Sequence, residues 1–226
     1  MRNKQDWRLG VMKTTSVAII DYGVGNLLSV QRAFEYLGAD AIISSSPEVI
    51  LKTERVVLPG VGAFPNAMKA LTKLGLIPVL HEIAAKKKPI LGLCLGMQLL
   101  LDESEEFQNT KGLGLIPGRV IPVPKITTLG SAQKVPHIGW NSLIPSNTKV
   151  SWNGSLLQDF AQKDAVYFLH SFMAKPAKET DQLAHVDYGG HKISAVIVKD
   201  NIIGCQFHPE KSGKVGLRIL ENYLNQ

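Results

Sequence analysis

Apolar residues along this chain fall into two kinds of run. Continuous runs occupy Val17-Ala18-Ile19-Ile20, Ala41-Ile42-Ile43, Val56-Val57-Leu58 and residues 90–93. Short unbroken runs of this kind are expected of strands buried on both faces. Between them the spacing turns helical. Leu27, Leu28, Val30, Phe34 and Leu37 mark a helix that Gly38 closes, and residues 66–88 repeat the pattern with breaks near Gly75 and Pro78, which predicts two successive helices. Strand alternating with helix predicts a mainly parallel sheet with helices on both faces, so the first half reads as α/β.

From Leu115 onward the texture changes to short β-rich pieces punctuated by Pro117, Pro122, Pro124, Pro136 and Pro145. Strand-like runs follow at 165–169, 193–198 and 202–207, and a helical pattern at 214–224 ends the chain. With 226 residues, no repeat and no linker, the expectation is one domain over residues 16–226. Its fold class is α/β, a single doubly wound, mainly parallel sheet with antiparallel additions. Residues 1–15 are expected to form a disordered N-terminal extension.

Composition narrows the function classes. A hydrophobic share of 45% and a charged share of 19% describe a globular protein. The net charge of +6 is spread over scattered Lys and Arg, and the one tight run, Lys86-Lys87-Lys88, precedes a strand, so a nucleic-acid partner is not expected. The longest apolar stretch, residues 90–101, is broken by Gly92, Gly96 and Gln98 and is too short to span a bilayer. Residues 1–12 lack the apolar segment of a secretory signal. Two cysteines, Cys94 and Cys205, make no disulfide framework and point to a reducing compartment, the cytoplasm.

The candidate chemistry centres on Gly92-Leu93-Cys94-Leu95-Gly96, a nucleophile framed by glycines where an apolar strand gives way to a helical pattern. A sharp strand-to-helix turn that presents one side chain needs residues without Cβ on either side. The partial positive charge at a helix start also favours the thiolate. Cys205, inside a strand with no turn after it, reads as a buried thiol. Of six histidines, His208 is the best base: it follows the run 202–207, and Pro209 keeps it extended. Glu210, two residues on, can reach the same side and orient the imidazole. The loop Pro59-Gly60-Val61-Gly62 offers bare backbone for an oxyanion, with the Leu95 N–H as a second donor. Gly23-Val24-Gly25 lacks the third glycine of a nucleotide loop. With no C-x-x-C spacing, a zinc site is not expected, and no metal or cofactor is called for.

Taken together, Gly-Leu-Cys-Leu-Gly-Met-Gln at 92–98 and Phe-His-Pro-Glu-Lys at 207–211 resemble the class I, triad-type glutamine amidotransferases, whose fold is flavodoxin-like. Pro-Gly-Val-Gly-Ala-Phe at 59–64 and Pro-His-Ile-Gly-Trp-Asn at 136–141 are similar to the glutaminase subunits of imidazole glycerol phosphate synthase. The resemblance implies that Cys94 attacks the glutamine carboxamide, that His208 protonates the departing ammonia, and that Glu210 holds the imidazole. It implies an oxyanion hole at Val61 and Leu95, and glutamine binding by Gly62, Gln98 and the backbone around His170, Ser171 and Phe172. It implies a (β/α)₈ cyclase partner that makes imidazole glycerol phosphate and an aminoimidazole-carboxamide ribonucleotide in histidine biosynthesis, contacted near Asn26, Trp140, Tyr167 and Lys211. A glutaminase serving another synthase, as in surface-sugar biosynthesis, and a non-catalytic regulatory subunit are the competing readings. Val61 adds an expectation about control: a β-branched residue resists the left-handed region by about 1–2 kcal/mol, so the hole would form only when a partner biases it.

Overall fold

A computed structural model describes residues 14–147, 151–161 and 163–226. The expected extension over residues 1–15 lies outside them except for Thr14 and Thr15. The first half alternates as its spacing predicts. In order come β1 (Ser16–Ile20), α1 (Leu27–Tyr36), β2 (Asp40–Ser44), α2 (Pro47–Lys52) and β3 (Arg55–Gly60). Then follow α3 (Phe64–Lys73), α4 (Leu76–Ala85), β4 (Ile90–Cys94) and α5 (Leu95–Leu99). The break between α3 and α4 falls on Gly75, whose φ of +67° is a left-handed conformation that residues with a side chain resist. Pro78 is no obstacle because it sits in the first turn of α4, where N–H groups have no intrahelical partner. The short α2 carries its own signal in Pro47 at its start.

The second half contains the strands β5 (Glu103–Ser104), β6 (Thr110–Lys111), β7 (Gly118–Pro122), β8 (His137–Asn141) and β9 (Ile144–Pro145). These are followed by β10 (Val166–His170), β11 (Phe172–Pro176), β12 (Gln182–Tyr188), β13 (His191–Lys199), β14 (Ile202–Cys205) and the closing helix α6 (Gly213–Leu224). The main sheet runs β2-β1-β3-β4-β14-β13-β12-β9. Its first five strands are parallel neighbours, and β13, β12 and β9 are the antiparallel additions. One expectation needs correction. The β-rich second half does not all join one sheet: β11-β7-β5-β6 form a separate four-stranded sheet, and β8 and β10 pair as a ribbon. Half-exposed alternation, as in β8 and β10, suits a ribbon with one wet face and could not be covered on both sides in the main sheet.

Why the first four runs are continuous is visible in the core. Val17, Ile19, Val57 and Leu91 point to the layer that contains Phe34 and Tyr223, whereas Ala18, Ile20, Val56 and Leu58 point to the layer of Phe64, Leu71 and Leu80. Each fully buried side chain of this size contributes roughly 1.5–3 kcal/mol. β3 and β4 end level with each other, Gly60 opposite Cys94, and β14 ends beside them with Cys205 opposite Leu93. The loops leaving these carboxyl ends therefore meet at one place, where α/β sheets bind ligands. Among the described residues no helix is long and apolar enough to cross a membrane.

Candidate active site

Cys94 is the last residue of β4 and holds φ 54°, ψ −108°, a strained backbone for a residue with a side chain. Its flanking glycines explain how the strain is tolerated. A Cβ at Gly96 would lie 1.7 Å from the Leu58 carbonyl oxygen, and one at Gly92 would lie 2.7 Å from that of Gly96. The turn packs only because both positions are bare. The helix that follows is five residues long, so side chains rather than a long helix set the environment of the sulfur.

His208 reaches the same point from the end of β14. It is 4% exposed, its backbone N–H donates to Tyr167 O at 2.9 Å, and its Nδ1 donates to Glu210 Oε1 at 2.9 Å. Burial works to lower its pKa, but hydrogen bonds to Cys94 and Glu210, and the charges of both, outweigh it and raise the value to about 10. His208 thus stands hydrogen-bonded to Cys94 on one side and to Glu210 on the other. Cys94 Sγ lies 3.7 Å from the Leu169 carbonyl and 3.8 Å from Gln206 Nε2. Cys205 is fully buried, and burial pushes its thiol pKa up, which keeps it inert.

The cleft over the sulfur encloses about 240 Å³ and is lined by Val61, Gly62, Cys94, Leu95, Gln98, Glu106, Pro136, residues 169–172, His208 and Lys211. That is smaller than the roughly 300–1,000 Å³ of drug-sized sites and suits a small metabolite. Among the described residues, no group of three or more His, Cys, Asp or Glu is placed to hold a metal ion.

A family model for class-I glutamine amidotransferases matches residues 18–226. The chain belongs to that family. The imidazole glycerol phosphate synthase subunit HisH 1 of Legionella pneumophila (strain Lens) is 50% identical over 210 residues, covering 93% of this chain and 99% of the relative. The HisH subunit of Lactococcus lactis is 45% identical over 93% of this chain and 98% of its own length. That of Halalkalibacterium halodurans is 47% identical over 92% and 94%. Among solved structures, one described as a glutamine amidotransferase superposes with TM-score 0.67 at 16% identity, covering 92% of this chain and 98% of that one. PurLQS from Thermotoga maritima gives the same TM-score and identity over 94% and 98%.

The amidotransferase thus brings the residues expected of its cleft together: Cys94, His208, Val61, Gly62, Leu95, Gln98, His170, Ser171 and Phe172 all line it, and Glu210 stands behind His208. Three details add to this arrangement. The left-handed turn of the 59–62 loop falls on Gly62, φ +98°, and not on Val61. Gln98 does not offer its NH₂ to the cleft: Nε2 donates to Phe172 O at 3.0 Å and to Gln206 Oε1 at 3.1 Å, which leaves its oxygen for a ligand. The His170 ring is engaged inward, since Nδ1 donates to Phe172 O at 2.8 Å and Nε2 meets His137 Nδ1 at 3.0 Å. His137 Nε2 meets the amide oxygen Oδ1 of Asn141 at 2.8 Å. Burial lowers His170 to about 3 and lowers His137 as well, so the pair stays neutral.

Of the four surface residues, Trp140 and Tyr167 pair on the ribbon with ring centroids 5.8 Å apart, Lys211 lines the cleft, and Asn26 lies at the start of α1, in the loop where Gly25 approaches Pro59. Sequence reasoning missed Glu106 and Tyr22. Glu106 is 9% exposed in the cleft, where one oxygen accepts from Phe64 N at 2.7 Å. It is one of several acids at 102–106, and nothing in that run marks it as the one turned inward. Tyr22 donates to Pro59 O at 2.6 Å and braces the loop that leads to Val61.

Proposed function

We propose that this chain hydrolyses glutamine at Cys94 and supplies the ammonia to a cyclase subunit, the two forming an imidazole glycerol phosphate synthase. The observation that carries the reading is the buried line Cys94, His208, Glu210 at the end of β4 and β14, in a chain half identical to HisH subunits. Cys94 Sγ attacks the carboxamide carbon. The oxygen gains charge and takes N–H bonds from Leu95 and from the Val61 loop. The C–N bond breaks as His208 gives its proton to the departing ammonia, which leaves a glutamyl thioester. Water, deprotonated by His208, then releases glutamate and returns the thiolate. Glu210 keeps the imidazole in the tautomer this cycle needs.

The cleft also suits the amino-acid end of glutamine. Gln98 presents an oxygen and Glu106 a carboxylate, both acceptors for the α-ammonium, and residues 170–172 line the same cleft, which supports their backbone as the partner of the α-carboxylate. Exposed apolar side chains Ile138, Trp140 and Leu169 share the ribbon, and Leu169 also lines the cleft together with the exposed Val61; apolar surface next to a cleft is the kind of surface a partner covers. Asn26, Tyr167 and Lys211 add polar contacts to it. The free thiols Cys94 and Cys205 suit the reducing cytoplasm, the compartment proposed for this reaction.

The test is ammonia release from glutamine by wild-type chain and Cys94→Ala, each with and without the histidine-pathway cyclase and its ribonucleotide acceptor. Loss of release in Cys94→Ala and stimulation by the loaded cyclase are expected. Release that survives the substitution refutes the nucleophile, and a wild type indifferent to this cyclase refutes the partner.

A further inference from the structure

Gln206 has no part in the cycle above, yet it is fully buried against the reacting sulfur. Its backbone N–H donates to Ala195 O at 2.9 Å, which carries the pairing of β13 with β14 one residue further and sets the side chain beside Cys94. Its carboxamide has only one workable orientation, and the reason lies two groups away. Phe172 O, a backbone carbonyl, can only accept, so Gln98 must turn its NH₂ there. The second hydrogen of that NH₂ points to Gln206, which must present Oε1 to it at 3.1 Å. The NH₂ of Gln206 is thereby aimed at Cys94 Sγ, 3.8 Å away. Flipping Gln206 would set two donors face to face in a site without water-exposed alternatives.

We propose that Gln206 is a further catalytic residue of the glutaminase reaction, donating from its carboxamide to the Cys94 sulfur in the orientation that Gln98 imposes. The inference rests on the glutaminase reading. An N–H donor favours the thiolate over the thiol and holds the sulfur in one rotamer beside His208. The same donor serves again when the C–S bond of the thioester breaks and the electron pair returns to sulfur. Gln98, which lines the cleft, acts on the sulfur only through Gln206 and is in that respect a positioning residue.

The experiment compares wild type, Gln206→Met, Gln98→Met and the double variant, all assayed with the cyclase. Glutamine turnover is measured, and so is the pH dependence of Cys94 alkylation by iodoacetamide, located by peptide mass. Methionine keeps the length and removes the donor. Gln206→Met is expected to lower kcat roughly 10- to 100-fold and to move the pH midpoint of alkylation upward. Gln98→Met should move that midpoint the same way, although it does not touch the sulfur, and the double variant should move it no further. A purely structural amide would leave the alkylation profile where it is. If both single variants alkylate as wild type does while Cys94→Ala still abolishes ammonia release, the role of Gln206 is overturned and the glutaminase reading stands. Release that persists in Cys94→Ala overturns the glutaminase reading itself. Should Gln206→Met fail to bind the cyclase or to melt cooperatively, Gln98→Met decides alone, and an unmoved midpoint there overturns the proposal.

Discussion

Gly96→Ala is the sharpest test of the turn that presents Cys94. The added methyl would sit 1.7 Å from Leu58 O, against the 3.0 Å that real Cβ atoms keep, so about 1.3 Å of movement is required. Leu58 lies in the middle of the sheet with 0% exposure, between β1 and β4, and its carbonyl cannot swing aside as a flexible side chain would. The displacement falls on the Cys94–Gly96 segment. Overpacking of this kind costs about 1–3 kcal/mol, and a backbone clash belongs at the upper end. For a chain of this size that is a fall in melting temperature of roughly 6–12 °C. Activity should suffer more, because a misplacement of about 1 Å near the reacting atom costs on the order of 100-fold. Calorimetry and glutamine turnover in the cyclase complex measure the two effects. Gly130→Ala is the control: its added Cβ meets nothing within 4 Å, and its φ of +83° leaves only a left-handed strain of about 1–2 kcal/mol. A Gly96→Ala variant that melts within 2–3 °C of wild type, by the same estimate, and turns over normally would refute the packing argument.

Three other outcomes are expected. His208 should remain protonated through neutral pH in the wild type and lose its proton near pH 10; in Cys94→Ala the hydrogen bond and charge that raise it are gone, so an imidazole NMR titration should show a lower midpoint. Because the folded value is raised above the ordinary 6.5, the associated stability is fully present below that pH and is lost as pH rises through about 10. Glu106→Gln keeps an oxygen for Phe64 N but removes the charge that meets the α-ammonium, so KM for glutamine should rise roughly 10-fold or more with kcat nearly unchanged; a wild-type KM would remove Glu106 from the glutamine site. Trp140→Ala, on an exposed face of the ribbon, should leave the fold intact and weaken cyclase binding by about 2 kcal/mol, read by titration calorimetry.

The sequence by itself determined the parts whose physics is local. The glycine frame of Cys94, the Pro209 that keeps His208 extended beside Glu210, the helix that ends at Gly38 and the unbroken apolar strands are each decided within a few residues, where steric limits on one backbone stretch leave little choice. Tertiary structure decided what depends on partners distant in the chain. Residues 117–176 carry weak two-residue periodicity that fits either an extended sheet or separate ones, and only the packing of β7 against β5 and of β8 against β10 settles which. Glu106 is indistinguishable from its acidic neighbours until α3 brings Phe64 N to it. The amide of Gln98 could have faced the cleft either way round until a carbonyl 74 positions away fixed it. The turn that presents Cys94 was legible because it is written in five consecutive residues. What surrounds its sulfur was not, because those hydrogen bonds join residues that only the folded sheet makes neighbours.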